Sequence, residues 1–326
     1  MNAIVLVAPE HDPTLAQPVF GYLLGEDWTV DVYTSQDDVP DEIARRAEVI
    51  IATPVPCDGS LIKRCPKLRL IQVPGHGYDH VDVDDARAAG VPVATVASSG
   101  AEAHTVAEWA ILMAGAASRR LVPGHVALAA GHFANVEQMQ AGCFELAGKT
   151  IGILGLGRIG REVATRARAF DMRVLYHDAF RADASVERDL GVAYRELDAL
   201  LAEVDFLTIH VPAMAATTGL IGERELDLMK HEAIIINTAR GNIIDHDALV
   251  EALRAKRIRG AALDVFDPEP PPADDPLLSL DNVVLSPHQA GVTAESLLRI
   301  LQAAAVNCNR LAAGEEVHDI VGEGGH

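Results

Sequence analysis

Apolar and polar positions fall in blocks along this chain. Short β-branched runs are followed by stretches with apolar residues three and four apart, and the cycle repeats from end to end. In the first third, residues 3–8, 29–33, 49–52, 68–73 and 91–96 read as strands, and 14–24, 41–47 and 61–65 as helices. Such alternation predicts a parallel sheet with helices on both faces, because parallel neighbours need a crossover connection. A long helix rich in Ala, Leu and Ile is expected over 101–119. Residues 121–148 start with helical spacing and pass into a mixed, Gly-containing stretch, read as an excursion that packs on another subunit. Strands resume at 150–154, 172–176, 206–210, 233–237, 258–263 and 283–285, with helices expected over 187–190, 197–201, 245–256 and 293–313. The run at 233–237 is almost purely apolar, as a strand covered on both faces should be. The predicted fold is α/β, built from doubly wound parallel sheets.

One stretch organises the rest. The strand at 150–154 leads directly into Gly155-Leu156-Gly157-Arg158-Ile159-Gly160, and a helical pattern opens at once. Gly155 permits the tight strand-to-helix turn, Gly157 lets backbone approach a pyrophosphate, and Gly160 lets helix and strand pack closely. A helix N-terminus there offers unpaired N–H groups and a positive dipole end to phosphates. The next strand ends at Asp178, 18 residues beyond Gly160. That is near the spacing of ~20 expected for an acid that holds the adenosine ribose. A dinucleotide site is the expectation, and the aspartate points to NAD, since a carboxylate accepts from a free ribose 2′-OH but repels a 2′-phosphate. His177 and Arg181 stand close enough in sequence to soften that preference.

Composition narrows the setting. The 326 residues suffice for two domains, and 49% hydrophobic against 23% charged residues is an ordinary globular balance. No uninterrupted apolar stretch reaches the ~18 residues of a membrane span. The start, Met1-Asn2-Ala3-Ile4, is strand-like and carries no basic region, which argues against a signal peptide. Cys57, Cys65, Cys143 and Cys308 show neither CxxC nor metal-ligand spacing, so they read as reduced thiols of a cytoplasmic protein, and no metal is expected. A formal charge of −20 disfavours nucleic acid and anionic membranes as partners. An anionic substrate would therefore need a local cationic anchor. The last few residues, 322–326, form a short Gly-rich tail.

In a doubly wound sheet, ligands sit outside the carboxyl ends of the strands. Arg240, Asp264, Glu269 and His288 each fall just after such an end. The loop Pro74-Gly75-His76-Gly77-Tyr78-Asp79 follows another, and its glycines permit an open turn whose amides can face an anion. An arginine can grip a carboxylate in bidentate fashion, and a histidine beside a carboxylate can shuttle a proton near neutral pH.

Together these motifs resemble the NAD-dependent D-2-hydroxyacid dehydrogenases, the group that includes D-lactate, glycerate/hydroxypyruvate and phosphoglycerate dehydrogenases. The likeness rests on GLGRIG at 155–160, NTARG at 237–241, LDVFDPEP at 263–270 and SPHQAG at 286–291, with GHGYDHVD at 75–82 and TVAEW at 105–109. It spans nearly the whole chain in order. The resemblance implies two Rossmann-like lobes with one inserted in the other: a flavodoxin-like substrate domain at 1–100 and 291–326, and an NAD-binding domain at 101–290. It implies catalytic roles for Arg240, Glu269 and His288, with His288 as general acid/base and Glu269 its partner. Around the cofactor it implies Thr105, Gly155, Gly157, Arg158, Ile159, Gly160, Asp178, His210, Val211, Pro212, Thr238, Ala239, Asp264, His288 and Ala290, with Asp264 near the nicotinamide amide. Substrate would meet the backbone of Gly75, His76 and Gly77, together with Arg240.

The activity implied is hydride transfer between NAD(H) and a small 2-keto or D-2-hydroxy acid, by a homodimer paired through the region of the long helix. A phosphoglycerate dehydrogenase and an NAD(H)-sensing corepressor are the competing implications. Two positions depart from the family pattern. Glu102 stands where relatives often carry a neutral polar residue, and Gln289 follows the histidine where a small or aliphatic residue is frequent. An acid at 102 would repel a doubly anionic substrate, which weighs against phosphoglycerate.

Overall fold

A computed structural model describes residues 1–9 and 12–322, so 323–326 of the Gly-rich tail lie outside the described residues. The chain forms two compact units: Met1–Glu102 together with the chain from Thr293 onward, and Ala103–Val292.

Among its described residues the first unit holds five strands, β1 (Asn2–Leu6), β2 (Thr29–Tyr33), β3 (Val49–Ala52), β4 (Leu70–Gln72) and β5 (Val93–Ala94), in the order β2-β1-β3-β4-β5. All neighbours are parallel. This is the flavodoxin-like doubly wound order. Helices cover both faces, which is why β1 and β3 read as continuous apolar runs. On one face Leu61, Ile62 and Ala86 close over Ile4, Ile50 and Ile71; on the other Ala305 and Cys308 cover Val5, Ile51 and Leu70. Each fully buried Ile or Leu contributes about 1.5–3 kcal/mol of transfer free energy. The long helix Ala294–Ala312 starts where Thr293 accepts a hydrogen bond from Ser296 N at 3.0 Å. The expected strand over 91–96 is shorter than its pattern, because the amide of Val96 leaves the ladder to bond Gly75 O.

Seven strands make up the second unit: β6 (Thr150–Leu154), β7 (Arg173–His177), β8 (Val192–Tyr194), β9 (Phe206–Ile209), β10 (Ile234–Asn237), β11 (Gly260–Leu263) and β12 (Val283–Leu285). Their order is β12-β11-β10-β9-β6-β7-β8, parallel throughout. This is the Rossmann order with one strand added at the edge, and the direction of winding reverses between β6 and β9. The edge strand β8 has three residues, of which only Val192 is buried, too short to leave a period in the sequence. The excursion at 121–148 contains two helices, Leu121–Ala129 and Asn135–Gln140.

Helix Ala103–Ser118 lays Ala107, Ala110 and Ala114 against Val163, Ala164 and Ala167 of helix Arg158–Ala169, small residues on both sides allowing close approach. All four cysteines are free. Burial pushes the thiols of Cys57 and Cys308 up to about 12 and that of Cys65 to about 11, so these three are poor nucleophiles. Among the described residues no helix is long and apolar enough to cross a membrane.

Candidate active site

The glycine loop joins β6 to helix Arg158–Ala169 in the second unit. Gly155 has φ +96°, a left-handed conformation that an L side chain resists. A methyl group there would also press on the backbone of His210 at 2.8 Å, so the loop packs directly on the end of β9. At Gly160 a side chain would collide with Gly155 O. Gly157 is exposed with open space around it and caps the helix without a side-chain hydrogen bond. The first amides of this 12-residue helix have no side-chain cap and stand beside the exposed Arg158, which has no ion-pair partner among the described residues.

Asp178 follows β7 on the other side of the loop. One carboxylate oxygen accepts from Leu156 N at 2.7 Å, tying acid and glycine loop together, and the other accepts from Phe180 N at 3.3 Å. At the neighbouring ends of β9 and β10, two buried polar atoms, His210 Nδ1 and Thr238 Oγ1, have no partner within the protein. Buried polar atoms without partners are costly, and a ligand with polar groups at this edge would satisfy them. Burial pushes His210 down to about 3, so its ring is neutral, with Nε2 meeting Thr208 Oγ1 at 2.8 Å. A narrow glycine turn, a free helix N-terminus, an acid at the next strand end and orphaned polar atoms at the switch point are what a dinucleotide requires. The residues fit NAD.

Three strand ends farther along the same sheet carry the remaining chemistry. β10, β11 and β12 are neighbours, with Asn237, Leu263 and Leu285 level across the sheet. Arg240 lies three residues past the first and His288 three past the last. His288 Nδ1 sits 2.7 Å from Glu269 Oε2, while Glu269 Oε1 accepts from Phe266 N at 2.8 Å. The hydrogen bond to Glu269 raises the His288 pKa; burial opposes that, and the Glu269 charge reinforces it. Arg240 is near enough for its charge to lower the pKa of both partners. For Glu269, burial favours the neutral acid, but the His288 and Phe266 hydrogen bonds outweigh it and hold the group below the usual carboxylate range.

Several further residues hold this trio in place. Asn237 Nδ2 donates to Arg240 O at 2.8 Å and its Oδ1 accepts from Ala239 N at 3.0 Å, closing the turn that presents Arg240. A side chain at Gly241 would collide with the backbone of Phe266, so the Arg240 turn abuts the segment that leads to Glu269. Asp264, expected beside the cofactor, is completely buried. Its carboxylate accepts from Ser286 Oγ, from Gln289 N at 3.0 Å and from Ala290 N at 2.8 Å, while its carbonyl accepts from His288 N at 2.8 Å. It therefore clamps the turn that carries His288. Trp109, from the TVAEW stretch, donates to Ser286 Oγ at 3.2 Å and extends the clamp to helix Ala103–Ser118. His288 itself has φ +50°, an uncommon conformation for a side-chain-bearing residue. Thr105 is buried in the first turn of that helix, Ile159 and Val211 are partly buried, and Pro212 is exposed after β9.

Gly75, His76 and Gly77 belong to the first unit, on the turn after β4. Gly75 takes φ +156° and accepts from Val96 N at 3.1 Å. Glu102 ends the same unit's first segment and contacts His76. No cluster of three or more His, Cys, Asp or Glu among the described residues is arranged to hold a metal.

Several known proteins are similar to this chain. A family model described as D-isomer specific 2-hydroxyacid dehydrogenase, NAD binding domain, matches residues 111–290. A glyoxylate reductase of Aeropyrum pernix is 39% identical over 311 residues, covering 92% of this chain and 91% of that protein. A D-3-phosphoglycerate dehydrogenase of Archaeoglobus fulgidus is 35% identical over 94% of this chain but only 58% of its own length. Among solved structures, D-lactate dehydrogenase of Aquifex aeolicus with NAD and lactic acid gives a TM-score of 0.84 at 29% identity, over 100% of both chains.

Proposed function

The chain belongs to the NAD-dependent D-2-hydroxyacid dehydrogenases, and from that premise we propose that it interconverts a small 2-keto acid and its D-2-hydroxy acid, glyoxylate or hydroxypyruvate being the leading candidates. The observation that carries the reading is the meeting of Arg240, Glu269 and the His288 turn at three neighbouring strand ends of the sheet that holds the glycine loop.

Bound NADH supplies the hydride. As the keto carbon is reduced, negative charge grows on its oxygen, and a proton must arrive there. His288 holds that proton on Nε2, because Nδ1 is engaged by Glu269. The Arg240 guanidinium binds the substrate carboxylate while polarising the adjacent carbonyl. In the reverse direction the neutral ring takes the hydroxyl proton. In the first unit we assign the backbone of Gly75, His76 and Gly77 to a substrate carboxylate, as the family resemblance implies. Arg158 and the amides of the following helix turn would hold the pyrophosphate, and Asp178 the adenosine ribose.

We assign a homodimer. Supporting it are the apolar residues Leu121, Val126, Leu128, Phe133 and Met139, each at least 60% exposed on the excursion helices and the loop between them. Light scattering at micromolar concentration tests this, and a monomer would refute it. A cytoplasmic setting agrees with the four free thiols.

The deciding experiment is NADH consumption with glyoxylate, hydroxypyruvate, pyruvate and 3-phosphohydroxypyruvate. Steady turnover of the small acids is expected. Tight NADH binding without turnover of any of them would make the chain a sensor of the corepressor type, and preference for the phosphorylated acid would make it a phosphoglycerate dehydrogenase.

A further inference from the structure

The ring of His76, an ionisable group of the first unit paired with a carboxylate, has no use in the chemistry assigned to the second unit. It stands on the turn after β4, and Glu102 follows the neighbouring strand β5. The two side chains meet Nδ1 to Oε1, with the imidazole 32% exposed and the carboxylate 17%. A carboxylate so placed accepts the Nδ1 hydrogen and sets the orientation of the ring. Nε2 is then the remaining polar atom of the ring, and among the described residues it has no partner.

We propose that His76, oriented by Glu102, is a specificity-determining residue that recognises a hydroxyl group on C3 of the 2-keto acid. The inference rests on the reading above, in which the amides of the Gly75–Gly77 turn take the substrate carboxylate. In a 2-keto acid held by that carboxylate, C3 lies two bonds beyond the carboxylate carbon and its hydroxyl one bond more, within reach of a side chain rooted in the same turn. The hydroxyl follows from hydrogen-bond chemistry. A neutral ring with its hydrogen on Nδ1 presents an acceptor at Nε2, and an imidazolium presents a donor. A hydroxyl is a partner for either state. A methyl group is a partner for neither, and a phosphate or carboxylate serves only the imidazolium while also facing the negative charge of Glu102. His76 is therefore the residue that reads the substrate, and Glu102 the positioning residue.

The test is kcat/KM with NADH for hydroxypyruvate and pyruvate, which differ by that hydroxyl, in the wild-type protein and in H76A, E102A and E102Q, each checked for folding by its thermal melt. The wild type should prefer hydroxypyruvate, and H76A should lower the hydroxypyruvate-to-pyruvate ratio by about tenfold, the worth of one hydrogen bond near 1.4 kcal/mol. E102A should lower the ratio likewise, whereas E102Q, whose amide oxygen still accepts from Nδ1–H, should restore it. A merely structural role would depress both substrates together. An unchanged ratio in H76A, or equal losses on both acids, overturns the proposal, and H76A decides alone if E102A fails to fold. A wild-type protein that turns over no keto acid at all would instead overturn the enzymatic reading, and this inference with it.

Discussion

The imidazole of His288 and the carboxylate of Glu269 meet at 2.7 Å, and the second carboxylate oxygen is already held by the Phe266 amide at 2.8 Å. The acid is thereby fixed by backbone on one side and fixes the ring on the other. Nε2 is left as the ring nitrogen that Glu269 does not engage. Asp264, itself clamped by Ser286, Gln289 and Ala290, secures the turn from beneath.

If Nε2 delivers the proton, His288→Gln should lower kcat for keto-acid reduction by about 10²- to 10⁴-fold, the usual worth of a positioned general acid. NADH affinity, followed by fluorescence titration, should change little. Reduction at wild-type rates would remove His288 from the mechanism.

The pH dependence has a definite sign. The Glu269 hydrogen bond raises the His288 pKa above its ordinary ~6.5, so the imidazolium persists to higher pH than that of a free histidine. Reduction uses that proton and should fall as pH rises through the raised value, while oxidation should improve over the same interval. Glu269→Ala removes both the hydrogen bond and the charge that raise it, so the falling limb of the kcat/KM profile for reduction should move to lower pH. A limb that stays in place would show that another group titrates.

Cofactor choice rests on the surroundings of Asp178. Arg181 is committed to Glu187 through two hydrogen bonds of 2.8 and 3.1 Å and lies over the Tyr194 ring, and His177 Nδ1 bonds the carbonyl of Arg195. These engagements draw both basic groups away from the role of 2′-phosphate anchor that their position in the sequence allowed. NADH should exceed NADPH by at least about tenfold in catalytic efficiency, and Asp178→Ala should narrow the gap by reducing the use of NADH. Equal use of both reductants by the wild type would contradict this.

Gly241 tests how the Arg240 turn is held. A β-carbon there would collide with the Phe266 backbone, which leads directly to Glu269. Gly241→Ala should destabilise the second unit by about 1–3 kcal/mol, the typical range for overpacking, read as a lower urea midpoint. It should also reduce kcat, because the turns of Arg240 and Glu269 are forced apart. Wild-type stability and rate together would show that the contact is dispensable.

Local chemistry made much of this molecule legible. Strands such as Ile234–Asn237 are buried on both faces, so their apolar runs survive as plain text in the chain, and the glycines at 155 and 160 mark a turn few other residues can make. β8 was illegible because three residues at a sheet edge leave no period. The part of Asp264 was illegible too, since its donors at 286, 289 and 290 arrive from another strand end.

The amino-acid sequence by itself determined which segments become strands and helices, and which residue types stand at the strand ends, because periodicity and turn chemistry are properties of neighbours in the chain. Only the tertiary structure decided that β10, β11 and β12 lie side by side, that Glu269 reaches His288, and that Glu102 reaches His76. Those pairings depend on strand order and on where loops of unequal length return, and both follow from burial of apolar faces across residues far apart in sequence.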